Sequence, residues 1–151
     1  MTRRLLNAAV LVVMAVGLGC GAGADGPPHI EEDRSACAHC GMLVSERTFA
    51  AAYRAPGQEP RVFDDIACLR AAARREGNLQ ALTSWFHDAE SREWIDGRRA
   101  TFVYSEQLKT PMSGGMIAFA DAGAAARRAS ALEGRVIASL DEMLAGKERE
   151  R

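Results

Sequence analysis

Three hydrophobic patterns divide the chain. Residues 5–19, "LLNAAVLVVMAVGLG", form an apolar run broken only by Asn7 behind the basic pair Arg3 and Arg4 and end in small residues, the form of a secretory signal. The run is shorter than the ~20 apolar residues of a spanning helix, and no stop-transfer pattern follows it. Residues 21–35, "GAGADGPPHIEEDRS", reverse the composition. Rich in Gly, Pro and acid and nearly free of apolar side chains, they read as a flexible tether. Beyond them, short apolar stretches alternate with turn residues, as in a folded domain. The expected organisation is a signal segment at 1–19, a tether at 20–35, a folded domain at 36–146 and a disordered tail at 147–151.

Within the domain, "RTFAAAYRA" (47–55) and "PRVFDD" (60–65) flank "PGQE" and predict strand, turn and strand. "IACLRAAARREG" (66–77) predicts a helix with Asp65 as N-cap and Gly77 as its stop, and "LTSWFHD" (82–88) predicts the next strand. A second round follows. "REWIDG" (92–97) and "RATFVYS" (99–105) predict a hairpin turning at Asp96-Gly97. "MIAFAD" is then a strand, "AGAAARRASALEG" a helix, and "RVIAS" a last strand before a short terminal helix. "FDD" and "FAD" align Phe63 with Phe119 and Asp65 with Asp121 at one offset of 56, each ahead of an Ala-rich helix bearing Arg-Arg. The echo suits an internal duplication, although strand-to-helix junctions also converge on such residues. Both readings predict a small α+β domain with mixed or antiparallel sheets.

Composition narrows the function. Cys20, directly after the apolar run, resembles the cysteine of a bacterial lipobox, which would be acylated as the first mature residue. Gly17 stands where such sites usually carry Leu, and cleavage after "AGA" (22–24) is the rival. Either processing exports the chain; the expected location is the periplasm, with a membrane anchor on Cys20. A chain starting at Cys20 has 132 residues, 17 of them basic and 20 acidic, a net charge near −3. No basic surplus exists to neutralise phosphates, so nucleic acid is not an expected partner. Acylation would leave Cys37, Cys40 and Cys68, an odd number, which excludes a complete disulfide framework.

The candidate chemistry is concentrated in "SACAHCGM" (35–42). Cys37 and Cys40 are spaced to share one ion or to form a disulfide, and spacing alone does not choose. Structural zinc needs four N or S ligands; beyond Cys68 only His29, His39 and His87 are available, with no second cysteine pair. A redox pair would open a helix after a strand, whereas this one follows the tether. Methionines supply a third reading. Met42 lies two positions past Cys40, and "TPMSGGMIAF" (110–119) brings Met112 and Met116. Thiolate with thioether is a ligand set for cuprous copper. Judged singly, each methionine reads rather as filling a core gap, and Met143, in a helical pattern, is read that way. In "FDDIACL" (63–69), Asp64 and Asp65 close a strand and Cys68 follows one turn later. Asp65 reads as a cap, and Cys68 either faces the same cavity or packs as a small apolar residue.

Together, "CAHCGM", "VFDDIACL" and "TPMSGGMIAF", in this order behind a lipoprotein-like signal, resemble the NosL family over roughly residues 37–134. Members of that family are exported lipoproteins encoded with nitrous oxide reductase, acting as copper chaperones for its assembly. The resemblance implies two similar small β-β-α-β units in one compact domain and a Cu(I) site built from Cys40, Met42 and Met112. Cys37, Cys68 and Met116 are further candidate ligands, and Asp64 with Asp65 would support or cap. The implied protein is no enzyme but a metal-delivery protein whose partners are nitrous oxide reductase or its copper and ABC-transporter assembly machinery. The competing expectations are a thiol-disulfide oxidoreductase using Cys37 and Cys40, and a metal-sensing or scavenging lipoprotein without a dedicated partner.

Overall fold

The computed structural model describes residues 26–78 and 81–146; the signal segment, Cys20 and the expected tail at 147–151 lie outside the described residues. In chain order the elements are β1 (Ala51–Arg54), β2 (Arg61–Phe63), α1 (Ile66–Ala73), β3 (Thr83–His87), β4 (Trp94–Asp96), β5 (Thr101–Tyr104), β6 (Met116–Phe119), α2 (Ala122–Ala131), β7 (Arg135–Ile137) and α3 (Leu140–Ala145). One antiparallel sheet runs β2-β1-β3-β4 and the other β6-β5-β7.

The two halves share one plan. In β1-β2-α1-β3 and in β5-β6-α2-β7 the first strand takes the centre, flanked by its hairpin partner and by the strand that follows the helix. The α+β expectation with two similar β-β-α-β units therefore holds. The echo at 56 positions has a structural counterpart too: Phe63 and Phe119 end β2 and β6, and Asp65 and Asp121 cap α1 and α2. Asp65 accepts from the Ala67 N–H at 2.8 Å, and Asp121 from Ala124 at 2.7 Å. Each cap satisfies an orphan donor of a helix's first turn.

Three local expectations are corrected. The Asp96-Gly97 segment does not turn a hairpin. β4 pairs with β3, Trp85 lying opposite Asp96, while β5 joins the second sheet between β6 and β7. A 3-10 turn at Gly97–Arg99, capped by Asp96 at 2.8 Å from the Arg98 nitrogen, carries the chain from one sheet to the other. The predicted strand at 47–55 starts late, because Arg47–Phe49 is a 3-10 turn that delivers Phe49 to a separate apolar cluster with Val103, Ile117 and Phe119. The expected tether ends before Ser35, since Ile30 is buried with Val44 and Ala50 and the Asp33 N–H bonds the Val44 carbonyl at 2.8 Å.

The main core lies between the sheets. Phe86 of β3 meets Phe102 of β5 edge to face at 4.8 Å, and Phe63, Ile66, Leu69, Met116 and Ile137 belong to the same buried cluster. Each such side chain stabilises the fold by about 1.5–3 kcal/mol relative to its exposed state. α1 lies on β1 and β2 and also touches β6, so its N-terminal end sits at the junction of the two units. Among the described residues no helix is long and apolar enough to cross a membrane.

Gly97 is required by a close approach. A Cβ there would overlap the Ser84 hydroxyl and lie 2.9 Å from Phe86 Cε2 and 3.0 Å from the Ser84 carbonyl oxygen. Overpacking of this kind costs about 1–3 kcal/mol. Gly97→Ala should lose stability of that order in urea unfolding; an unchanged unfolding midpoint would contradict the close contact with Ser84 and Phe86.

Candidate metal centre

The cysteine loop is built by backbone hydrogen bonds. Ala36 bridges Leu43, the Cys37 N–H bonds the Met42 carbonyl at 2.7 Å, and the Gly41 N–H returns to the Cys37 carbonyl at 3.0 Å. Gly41 has φ +78° with nothing within 4 Å of a Cβ built on it, so glycine is there for backbone conformation rather than space. The Ala38 N–H bonds the Val62 carbonyl at 2.8 Å and fastens the loop to the outer strand of its sheet, two residues before the acidic pair. This contact brings Cys37 and Cys40 over the start of α1, whose first turn carries Cys68.

The three sulfurs lie within 4.8 Å of one another, the group among the described His, Cys, Asp and Glu residues that meets this spacing. Cys37 and Cys68 are buried and Cys40 is half-buried, so the cluster opens on the Cys40 side. The Cys68 thiol hydrogen-bonds the Cys37 sulfur and, with backbone donors around it, holds Cys37 well below the ordinary thiol range. That same bond, with burial, pushes Cys68 upward. A thiol eased toward deprotonation beside two others suits a soft cation, which displaces the thiol proton on binding.

The two acidic residues are fully buried and bonded to loops on either side. Asp64 Oδ1 accepts the Ser45 N–H at 3.1 Å, and burial raises its carboxyl above the usual carboxylate value. Asp65 Oδ1 caps α1, while its Oδ2 accepts the Thr110 hydroxyl at 2.6 Å and the Met112 N–H at 2.9 Å. The loop approaches so closely that a Cβ at Gly114 would stand 2.6 Å from both Asp65 Oδ1 and the Ala67 methyl. Met112 is therefore held at the same helix end as Cys68.

The methionines separate into two kinds. Met42 is 54 % and Met112 39 % exposed, whereas Met116 is 1 % exposed. Met116 opens β6 inside the main core, the surroundings of a gap-filling methionine. Nor do the histidines join the sulfurs within that spacing. His87 bonds the Ala50 carbonyl at 3.2 Å through Nδ1 and stacks on Trp94, and His29 lies near Glu31. The Cys-x-x-Cys pair sits in a loop and opens no helix. Thr110 is the contributor that the sequence did not single out: its partner is 45 residues away, beyond any local pattern.

The family model for NosL matches residues 28–144. The chain belongs to the NosL family. Its match starts ahead of Ile30, in line with the early onset of folded structure seen there. Among solved structures, this NosL-family chain resembles the copper chaperone NosL from Shewanella denitrificans. The TM-score is 0.64 at 16% identity, over 75% of this chain and 92% of that one. At that identity the likeness speaks for the fold. None of the curated protein sequences matches the chain.

The geometry sets an order of thiol access. Iodoacetamide labelling of the reduced protein, mapped by mass spectrometry, should modify Cys40 first, with Cys37 and Cys68 following only as the structure opens; early labelling of Cys68 would contradict the placement of its side chain.

Proposed function

We propose that this NosL-family protein is a copper carrier that takes up one cuprous ion at the Cys37, Cys40 and Cys68 cluster and passes it on by ligand exchange. The observation that carries this reading is the convergence of three sulfurs within 4.8 Å, supported by the exposure of Met42 and Met112 on loops fastened to the cysteine segment and to the start of α1. A donor set of thiols and thioethers favours Cu(I), which is content with two or three soft ligands, over zinc, which would need a fourth N or S donor. Cys40 with Met42 and Met112 forms the accessible side, where an incoming ligand can enter. Thioether sulfur binds without losing a proton, so release from Met42 and Met112 needs no acid.

The exposed rim suits hand-over. Met42, Leu43 and Met112 are among the few large apolar side chains exposed in the described residues, and a partner covering them would exclude water from the exchanging ion. The recipient in this proposal, nitrous oxide reductase or its copper and transporter assembly machinery, follows from the family resemblance. So do a periplasmic location and a lipid anchor on Cys20. The protein in this reading delivers metal and catalyses no reaction.

Titration of the reduced protein with cuprous ion under a competing chelator should reach one ion per chain; no uptake would overturn the proposal. Met112→Leu keeps side-chain volume and removes the sulfur, so it should weaken copper binding and leave Tm nearly unchanged. Met116→Leu should leave the affinity as it is. A reversal of these two results would move the thioether ligand into the core.

A further inference from the structure

We infer that Asp64 and Asp65 are positioning residues that splice the two methionine-bearing loops to the start of α1, and so fix where Met42 and Met112 stand relative to the thiols. This rests on the copper-carrier reading and deepens it by naming what sets the geometry of its outer ligands.

The argument starts from the backbone. Asp65 is extended, with φ −142° and ψ 146°, and in extended chain successive side chains leave on opposite sides. Two adjacent carboxylates at such a point reach two different loops. Asp64 takes the N–H of Ser45, three residues after Met42. Asp65 takes the hydroxyl of Thr110 and the N–H of Met112 itself. Between these anchors, α1 lifts Cys68 from its first turn. Both carboxylates are fully buried, and their bonds to these donors hold them in place.

The second oxygen of Asp65 is the informative one. A helix cap needs a single acceptor, and Oδ1 supplies it to Ala67. Oδ2 is spent wholly on the methionine loop, with two donors at 2.6 and 2.9 Å. Thr110 extends the clamp, its Oγ1 accepting the Gly115 N–H at 3.3 Å while its carbonyl accepts the Ser113 N–H at 2.9 Å. An exposed methionine with three rotatable bonds would otherwise sample many positions. A fixed Met112 nitrogen removes the loop's own motion from the range the sulfur can sweep, which lowers the ordering cost when copper binds.

The splice separates cleanly from capping. Asp65→Asn keeps an oxygen for Ala67 and turns an NH2 toward the Met112 N–H, and Thr110→Val removes only the hydroxyl. Two readouts follow, on protein carrying 13C-methyl methionine. In the metal-free protein, both variants should raise the mobility of the Met112 methyl and leave that of Met42 unchanged, whereas Asp64→Leu, which removes the acceptor of the Ser45 N–H, should loosen Met42. Cuprous affinity should fall by about 10- to 100-fold in Thr110→Val, the usual effect of losing a partner that orients a ligand. In a Met112→Leu background the same substitution should cause no further loss. An unmoved Met112 methyl, or an equal affinity loss with and without Met112, would overturn the inference. Absence of copper uptake by the wild-type protein would instead overturn the carrier reading, and the methyl mobilities would still decide whether the splice exists.

Discussion

The carboxylate of Asp65 joins parts of the chain that nothing local would bring together. One oxygen starts α1 and so orients Cys68; the other holds the Thr110 to Met112 loop, 45 to 47 residues later, against that same helix end. A buried carboxylate is costly unless its lone pairs are met by donors. Asp65 meets that condition with three donors, so its burial and its bonds demand each other. Removing any one of the three leaves a charge in the interior with fewer partners. That coupling is why the second unit's loop and the first unit's helix behave as one surface.

The duplication gives this arrangement its shape. Each unit places an Asp at the step from its second strand to its helix, yet only in the first unit does that Asp carry a loop from the other half. Among the described residues the Asp121 side chain only caps α2, so a repeated structural element has a joining role in one copy. β6 brings Met116 into the core and thereby positions the loop before it. The cysteine loop is stitched separately, by Ala38 to Val62. Two independent attachments thus converge on the first turn of α1, one bearing thiols and one bearing a thioether.

Much of this was legible in the chain. The strands and helices followed from period and capping, because β2, α1, β6 and α2 bury apolar residues next to Asp caps in the expected order. The Asp-Gly pair at 96–97 misled, since such a pair marks a hairpin only when both flanking strands belong to one sheet. There Gly97 answers instead to the Ser84 and Phe86 side chains, a tertiary contact with no local signature. The Cys-x-x-Cys spacing was readable as two thiols, and Cys68 was ambiguous because its neighbourhood depends on where the cysteine loop docks. Met116 sat in a motif and in a predicted strand at once; packing resolved it toward the strand. Ile30 was hidden by the polar residues around it, although a lone branched apolar residue in such a segment is the kind that finds a pocket.

In the proposed carrier, a buried pair of thiols and a half-buried one would hold the ion, and the exposed thioethers of Met42 and Met112 would serve its release. X-ray absorption at the copper edge of the protein loaded with one cuprous ion tests that account most directly. It should find two or three sulfur neighbours around the metal and no nitrogen. A first shell containing imidazole nitrogen, or only one sulfur, would contradict it.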